Sequence, residues 1–556
     1  MRSLLVVAFG GLLGSTAHAA VYYVGDTQRD TCDYATLQEA IDAATANGPQ
    51  LDTILVTNSI AYTNVAAVIG DKSLLIQGGF TTCASLGADA PADLSGDGFD
   101  PVVSIRPSAS SSTAVTLRGL RIHGGGYAGS GGGSDGGGAF VSGGAFVTIA
   151  DTIIENNNAR VGGGICIQSN SPTPTVQLDP GVRIRNNVAQ NDGGGVFLNG
   201  GALNIVADDV SIANNGTQGS GGGVAAFDGL ITIGNPGQQP ARHDVTGVSI
   251  SGNTAAVSGG GMFLATASAR MYAWELILDA NAAGQSGGGL ALTQGAYASL
   301  ARDYAFSGSP DYQCPAWLEC SRLSNNTVGS VAGTKGGAVM ASSGAWVEIA
   351  QTLVRGNSAQ DGSALYMDDG TIANLEGLLV TANQSYDTTA AGVLMHANFS
   401  SNAPRLKIAY STFAGNQELG SNGLEHPAED IVAAGGTQLS IYSTAFYDSA
   451  YPITAYAAYT DDCVVRTGGA PPDPFGTHTR LLETSAPGFN NSVAGDYRLR
   501  SESTLNDYCD ASAHPPAYRD LVLTPRCHDD PRKTNTYGAC DVGAYESDQI
   551  FGNGFD

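Results

Sequence analysis

The chain is 556 residues long, with 76 glycines and a formal net charge of −26. That length exceeds the usual single compact domain, so an elongated or multipart body is expected. The acidic surplus repels phosphate backbones and excludes nucleic acid as a natural partner, and the glycines lack the three-residue period of collagen.

Residues 1–20, MRSLLVVAFGGLLGSTAHAA, combine a basic start, an apolar run and the small-x-small ending Ala17-His18-Ala19. This is the pattern of a secretory signal peptide, with cleavage expected near Ala19 or Ala20. No later stretch reaches the roughly eighteen apolar residues of a membrane span, so no transmembrane segment is expected. The nine cysteines suit an oxidising compartment. They group as Cys32 with Cys83, Cys314 with Cys320, and Cys463, Cys509, Cys527 and Cys540, leaving Cys166 over; pairing within each group is expected.

Residues 21–105 read as an N-terminal cap and first strands. Thr36 followed by Glu39 forms a capping box, Leu37, Ala40, Ile41 and Ala44 make one apolar helical stripe, and Asn47-Gly48 ends the helix. "DTILV" and "SLLIQGGF" then read as strands, and "AVTLRGLRIHGGG" as an early coil.

Residues 106–450 carry a repeat. Small-residue triplets end at Gly138, Gly164, Gly195, Gly223, Gly261, Gly289, Ala338, Ala364 and Gly392, at gaps of 26, 31, 28, 38, 28, 49, 26 and 28 residues. Such a period signals a solenoid. Eight residues earlier stands an Asn at 156, 187, 215, 253 and 281, drifting to Asn326, Asn357 and Asn383. One and three residues after each triplet the chain is apolar in every copy, as in Val196 and Leu198. Alternate strand residues share a face, so these columns fill one interior. The expected fold is all-β, a single-stranded right-handed parallel β-helix, in which nine coils make a rod roughly 40 Å long. The glycines form a repeated corner, and each Asn amide bonds its equivalent one coil away. Residues 451–547 read as a disulfide-stapled capping region and 548–556 as an exposed tail.

The motif "YATLQEAIDAA" is similar to the opening of pectin-lyase-like β-helix proteins. The recurring Asn with "GGGI", "GGGV" or "GGAV" resembles the repeats of polymorphic outer-membrane proteins. "GDYRLRSES" with "CDVGAYE" resembles the C-terminal region of choice-of-anchor Q proteins. These resemblances imply a secreted or surface-held β-helix. Polymorphic outer-membrane proteins end in a membrane barrel, whereas this C-terminal region lacks a series of amphipathic strands of about ten residues, so self-export is not expected.

Catalytic patterns are thin. Asp135, Asp192 and Asp361 share one coil position, read as turn aspartates; Asp208-Asp209, Asp368-Asp369 and Asp461-Asp462 are doublets whose members face opposite sides of a strand. His123 precedes a glycine run, and Arg242, His243 and Asp244 adjoin in an insertion. No catalytic or metal-binding residue is assigned; calcium remains open and no other cofactor is expected.

A binding surface has better candidates. The column two residues after each triplet contains Phe140, Phe197, Phe263 and Tyr366, with Cys166 among them, and points outward if its neighbours point inward. Insertions or the C-terminal region cover it, or it is a ligand face. The longer insertion carries Tyr304 and Trp317 around a disulfide expected between Cys314 and Cys320. The leading expectation is a non-catalytic, monomeric, secreted or outer-membrane-associated protein that binds polysaccharide or cell-surface glycan. Its rivals are a polysaccharide lyase or hydrolase and a passive envelope scaffold.

Overall fold

The computed structural model describes residues 18–547, except 85–89, 109–110, 127–133, 170–171, 207–208, 235–247, 302–320, 330–332, 387–391, 397–401, 420–424, 428, 449–450, 468–475, 486, 518, 522–523 and 530–532. The expected signal peptide before residue 18, the Arg242-His243-Asp244 run, Tyr304, Trp317, Cys314, Cys320 and the tail from 548 lie outside the described residues.

The repeat becomes a parallel β-helix. Strand partners fall at the spacing of the glycine corners: Ala139 pairs with Ile165, Ile165 with Val196, Val196 with Val224, Val224 with Met262, Met262 with Leu290, Leu290 with Val339, Val339 with Leu365 and Leu365 with Val393, all in parallel register. This first face continues beyond the glycine repeats in both directions, from Ala67 through Val103 to Ala139 and from Val393 through Ile431 to Ile453. It therefore has thirteen rungs among the described residues, which makes the rod roughly 60 Å long. A second face contains Thr113–Arg118, Ala145–Ala150 and their successors, and a third contains Leu120–His123, Ile153–Glu155 and theirs. A short fourth ladder runs from Asn158–Ala159 to Gln417–Leu419.

Two corners explain the repeat. Nine asparagines, 157, 187, 215, 253, 281, 326, 357, 383 and 416, form a buried ladder. In Asn215, Nδ2 donates to Asn253 Oδ1 at 3.0 Å and to the Ile184 carbonyl at 3.0 Å, while Oδ1 accepts from Asn187 N and Nδ2, both at 3.0 Å. Every amide donor and acceptor is thus satisfied without water. The first rung corrects the sequence reading: Asn157 occupies the ladder, and Asn156, at φ 55°, is the left-handed residue before it. The stretch between asparagine and triplet is one residue shorter in that coil.

At the other corner the first glycine of each of the eight triplets from Gly136 to Gly362 has positive φ, as in Gly193 at 69°. A Cβ there would lie 2.5 Å from the Val196 carbonyl and 2.8 Å from Phe197 Cβ. The glycine turn therefore folds over the outward residue of its own strand. This explains why Cys166, Ala225, Ala291 and Tyr366 are buried although they point away from the interior.

The two ends are closed differently. The helix Leu37–Ala46 packs on the strands Val21–Val24, Asp52–Thr57 and Ala67–Ile69, buries Leu37, Ala40, Ile41 and Ala44, and starts with the expected Thr36–Glu39 box. At the far end an interior column that reads Ile408 and Ile441 turns polar at Asp461 and His478. His478 Nδ1 lies 2.8 Å and Arg466 Nη2 3.3 Å from Asp461 Oδ2. Burial pushes the Asp461 carboxyl up, and His478 and Arg466 oppose that shift.

The strands Tyr451–Ala455, Tyr459–Arg466 and Gly476–Glu483 extend the rod past residue 450. The chain then returns along the corner between the second and third faces. Gln351, Gly377, Tyr410 and Ser443 mark that corner with positive φ. Arg526 Nη2 donates to the Tyr410 carbonyl at 3.3 Å and Gly543 N to the Ser443 carbonyl at 2.9 Å. Phe489, Tyr497, Leu505, Tyr508, Leu521 and Val542 bury themselves against Leu353, Leu379 and Tyr410. Disulfides join Cys32 to Cys83, Cys463 to Cys509 and Cys527 to Cys540 as grouped from the sequence, and Cys166 is free and buried, its thiol pushed up by that burial.

Candidate functional site

The aromatic residues singled out on the first face do form one column. Phe197 and Phe263 are bridged by Phe227, with ring centroids 5.6 and 5.7 Å apart. Phe140 lies beneath the Arg106 guanidinium at 4.2 Å, and Tyr366 beneath the Lys335 ammonium at 4.6 Å. Phe140 and Phe197 retain 7% and 9% of their surface and Tyr366 only 1%, while Phe263 is half-buried. The small residues Cys166, Ala225 and Ala291 stand on the alternate rungs, and Cys166 and Ala225 share one buried cluster with Phe140 and Phe197.

The described acids among those flagged from the sequence are also partnered, and Asp208 lies outside the described residues. Asp135 pairs with Arg160 at 2.7 Å, and Asp192 accepts the Ser220 N–H at 2.8 Å. Asp209 pairs with Arg183, and Asp368 accepts the Ser343 N–H at 3.0 Å. Asp461 points inward and Asp462 meets Arg480, on opposite sides of the strand. His123 lies 2.9 Å from Asp93 in a charged run on the third face, where Glu155 is held between Arg121 and Arg185 at 2.7 Å from each. Burial raises the Glu155 carboxyl, and the two arginines outweigh it and hold it below the usual range. Among the described residues no group of three or more His, Cys, Asp or Glu side chains is placed to hold a metal ion.

The second face has a different character. Its outward edge column runs Leu230, Arg270, Tyr297, Trp346, Ile372 and Arg405 on successive rungs. Trp346 is 42% exposed and stands perpendicular to Tyr297 at 5.5 Å; Tyr272 is 5.4 Å from Tyr297 on the other side. The result is an aromatic ledge across three coils. Beside it, the neighbouring outward column supplies Tyr272, Ser299, Glu348, Asn374 and Lys407. Tyr297 Oη donates to Glu348 Oε2 at 2.9 Å, and Asn374 Nδ2 lies 3.4 Å from Glu348 Oε1. Burial and the Glu348 carboxylate both push the Tyr297 phenol up, so it is a neutral donor.

Glu348, Asn374 and Lys407 form one wall of a pocket of about 220 Å³, and Glu376, Ala409, His514 and Ala517 form the other. The second wall depends on the returning C-terminal chain. Ala517 N donates to Glu376 Oε1 at 2.7 Å, His514 Nε2 lies 3.5 Å from Glu376 Oε2, and Tyr410 Oη donates to the His514 carbonyl at 2.7 Å. The pocket is smaller than typical drug-sized ligand sites of about 300 Å³ and above, so it suits one ring-sized group or a chain end. It offers carboxylate acceptors and amide and ammonium donors near the exposed Trp346 ring, a set suited to a ligand with hydroxyls on its edges and apolar faces.

Sequence reasoning missed the ledge and the pocket. Phe146, Tyr297, Trp346 and Ile372 each stand eight residues after their triplet, and Phe146, like Trp346, is more than two-fifths exposed. That recurring offset was a partial signal, because in other coils the same offset holds the interior residues Leu203 and Ile231 and the outward column shifts to Leu230 and Arg270. No known protein family matches the chain, and no curated protein matches it.

Proposed function

We propose that this is a secreted or cell-surface β-helix protein that binds glycans, without turning them over, along the Tyr272–Tyr297–Trp346 ledge and in the adjoining pocket. The observation that carries this reading is the aromatic ledge of exposed Trp346 with half-buried Tyr297 and Tyr272, joined through the Tyr297–Glu348 hydrogen bond to a pocket of mixed hydrogen-bonding groups. Exposed rings stack on the apolar faces of sugars, and side chains at their edges satisfy hydroxyls. The ligand class is neutral polysaccharide: Glu348 and Glu376 in the pocket and the net charge of −26 both oppose a polyuronate. The engagement of Glu376 by the Ala517 N–H and His514, and of Glu348 by Tyr297 and Asn374, favours a recognition role over acid–base chemistry.

Export is supported by the disulfides and the leader-like N-terminal sequence, and among the described residues no helix is long and apolar enough to cross a membrane. Attachment to the outer surface, and kinship with pectin-lyase-like, polymorphic outer-membrane or choice-of-anchor Q proteins, belong to the same proposal. The chain acts as a monomer in this reading, and calcium is not required. A second reading, glycoside hydrolysis, rests on the two carboxylates in one pocket. Titrating neutral and uronate-rich oligosaccharides by calorimetry while following product release separates the readings. Saturable binding of a neutral glycan without products supports recognition; new reducing ends, lost in Glu348→Gln or Glu376→Gln, would establish hydrolysis instead.

A further inference from the structure

The residues around Ala20 point to a processing site. Asp52 is completely buried at the start of its strand, and its Oδ1 accepts the Ala20 N–H at 2.7 Å. Its Oδ2 pairs with Lys72 Nζ at 2.7 Å, and Asn47 Nδ2 lies 3.2 and 3.1 Å from the two oxygens. Lys72 is buried as well and spends its remaining donors on the Gly48 and Gln50 carbonyls, both at 2.7 Å. The carboxylate is therefore fixed, with one oxygen directed at the Ala20 nitrogen.

The surrounding bonds distinguish the two peptide bonds at which a small-residue cleavage could fall. Upstream of Ala20, the His18 carbonyl accepts from Asn47 Nδ2 at 3.0 Å and Gln50 Nε2 at 3.2 Å. Both donors have other acceptors, Asp52 for Asn47 and the Asn47 carbonyl for Gln50 at 3.0 Å. Losing residues up to Ala19 orphans neither, and His18 and Ala19 are exposed. Losing Ala20 would remove the shorter of the two bonds to Asp52 Oδ1, leaving only Asn47 Nδ2 at 3.2 Å, and the carbonyl that accepts the Thr53 N–H at 2.9 Å, on the edge of the first parallel pair.

We propose that the Ala19–Ala20 bond is the processing site and that Asp52 is the acceptor built for the ammonium this cleavage creates. The bond is hydrolysed by an export-associated endopeptidase specific for small residues. Water supplies the hydroxyl that completes the Ala19 carboxylate and the proton that completes the Ala20 amine, which is protonated at neutral pH. A neutral amide bond to a buried carboxylate thus becomes a charge-assisted one, and the N-terminal cap tightens only after the leader has gone. The proposal rests on the export reading, and its test separates the two.

Protein expressed with its full leader and recovered from the extracytoplasmic fraction is analysed by intact mass and N-terminal sequencing. A start at Ala20 supports the proposal. A start at Val21 or later overturns the site while leaving export standing, and a retained leader overturns both. Chains made to start at Ala20 or His18 are then melted with Asp52 and with Asp52→Asn. A higher Tm for the Ala20 start that vanishes in Asp52→Asn supports the ammonium contact; equal Tm values overturn it. Should Asp52→Asn fail to fold, acylation of the α-amine decides: protection in the native Ala20-start chain relative to the urea-unfolded chain supports the contact, and equal rates overturn it.

Discussion

Asn416 donates from Nδ2 to Oδ1 of Asp430 at 2.8 Å, and there the asparagine ladder ends. A carboxylate replaces the next amide because no further asparagine corner follows, and it can accept without offering a donor of its own. The ladder is a polar spine inside an apolar rod, stable because each member is satisfied by its neighbours. Breaking it in the middle is expected to be costly. Asn253→Ala removes the acceptor of Asn215 N and Nδ2 and the donor to the Ile212 carbonyl. With each of these three buried orphan groups costing about 1–3 kcal/mol, the expected loss is about 3–9 kcal/mol, read as a lower urea midpoint at unchanged m-value.

Glycine at the covering turn is expected to be irreplaceable, whereas an open turn glycine is not. Gly193→Ala puts a Cβ against the Val196 carbonyl and Phe197 Cβ at positive φ, whereas Gly98, also at positive φ, has nothing within 4 Å. Gly98→Ala therefore meets backbone strain alone. Thermal unfolding of the two variants checks this, with the larger drop in Tm at Gly193.

The C-terminal return holds half of the pocket. Cys463–Cys509 ties it to the rod across a separation of 46 residues, and opening such a loop is expected to cost about 4 kcal/mol in chain entropy. A Cys463→Ala, Cys509→Ala double variant should loosen the flank before the rod, which limited proteolysis after residue 483 would reveal. Glycan affinity should fall as the His514 and Ala517 wall is lost, while β-sheet circular dichroism persists.

Acid and alkali should act on opposite ends. At the N-terminal cap, burial raises the Asp52 carboxyl, and Lys72, the Ala20 N–H and Asn47 together outweigh it and leave it below its ordinary value. The stability this contributes is present above the unfolded value and lost as pH falls below about 4. In the C-terminal flank, burial foremost, with Asp541 beside it, pushes Glu546 well up against the opposing pull of Arg526, and burial likewise raises Asp541. An acid raised in the folded state contributes stability below its unfolded value and loses it as pH rises through the folded one. Hydrogen exchange at about pH 5 and pH 7 should therefore show the flank better protected at the lower pH, with the cap unchanged between them.

The coil was legible because the same two corners are written nine times, and strand register followed the glycine spacing through insertions of any length. Asn157 rather than Asn156 takes the first rung because the loop to Gly164 is one residue shorter than the loop from Asn187 to Gly195. The first-face aromatics were legible as a column, but their covering was not, because it comes from a glycine turn folding over its own strand. The ledge was hidden by dispersion: Tyr297 and Trp346 are rung neighbours separated by the longest insertion in the chain. The pocket was hidden further, since Ala517 reaches Glu376 across a sequence separation of 141 residues.

The ledge is the centre of the functional account, and Trp346 is its most exposed ring. Calorimetric titration of a neutral oligosaccharide series into the native chain and Trp346→Ala, with Phe197→Ala as the first-face control, tests it directly. The expected result is saturable binding weakened roughly tenfold or more in Trp346→Ala, as loss of a buried aromatic contact of about 1.4 kcal/mol or more implies, and little changed in Phe197→Ala. Equal affinity in the native chain and Trp346→Ala, or a preference for uronate-rich chains, would contradict the account.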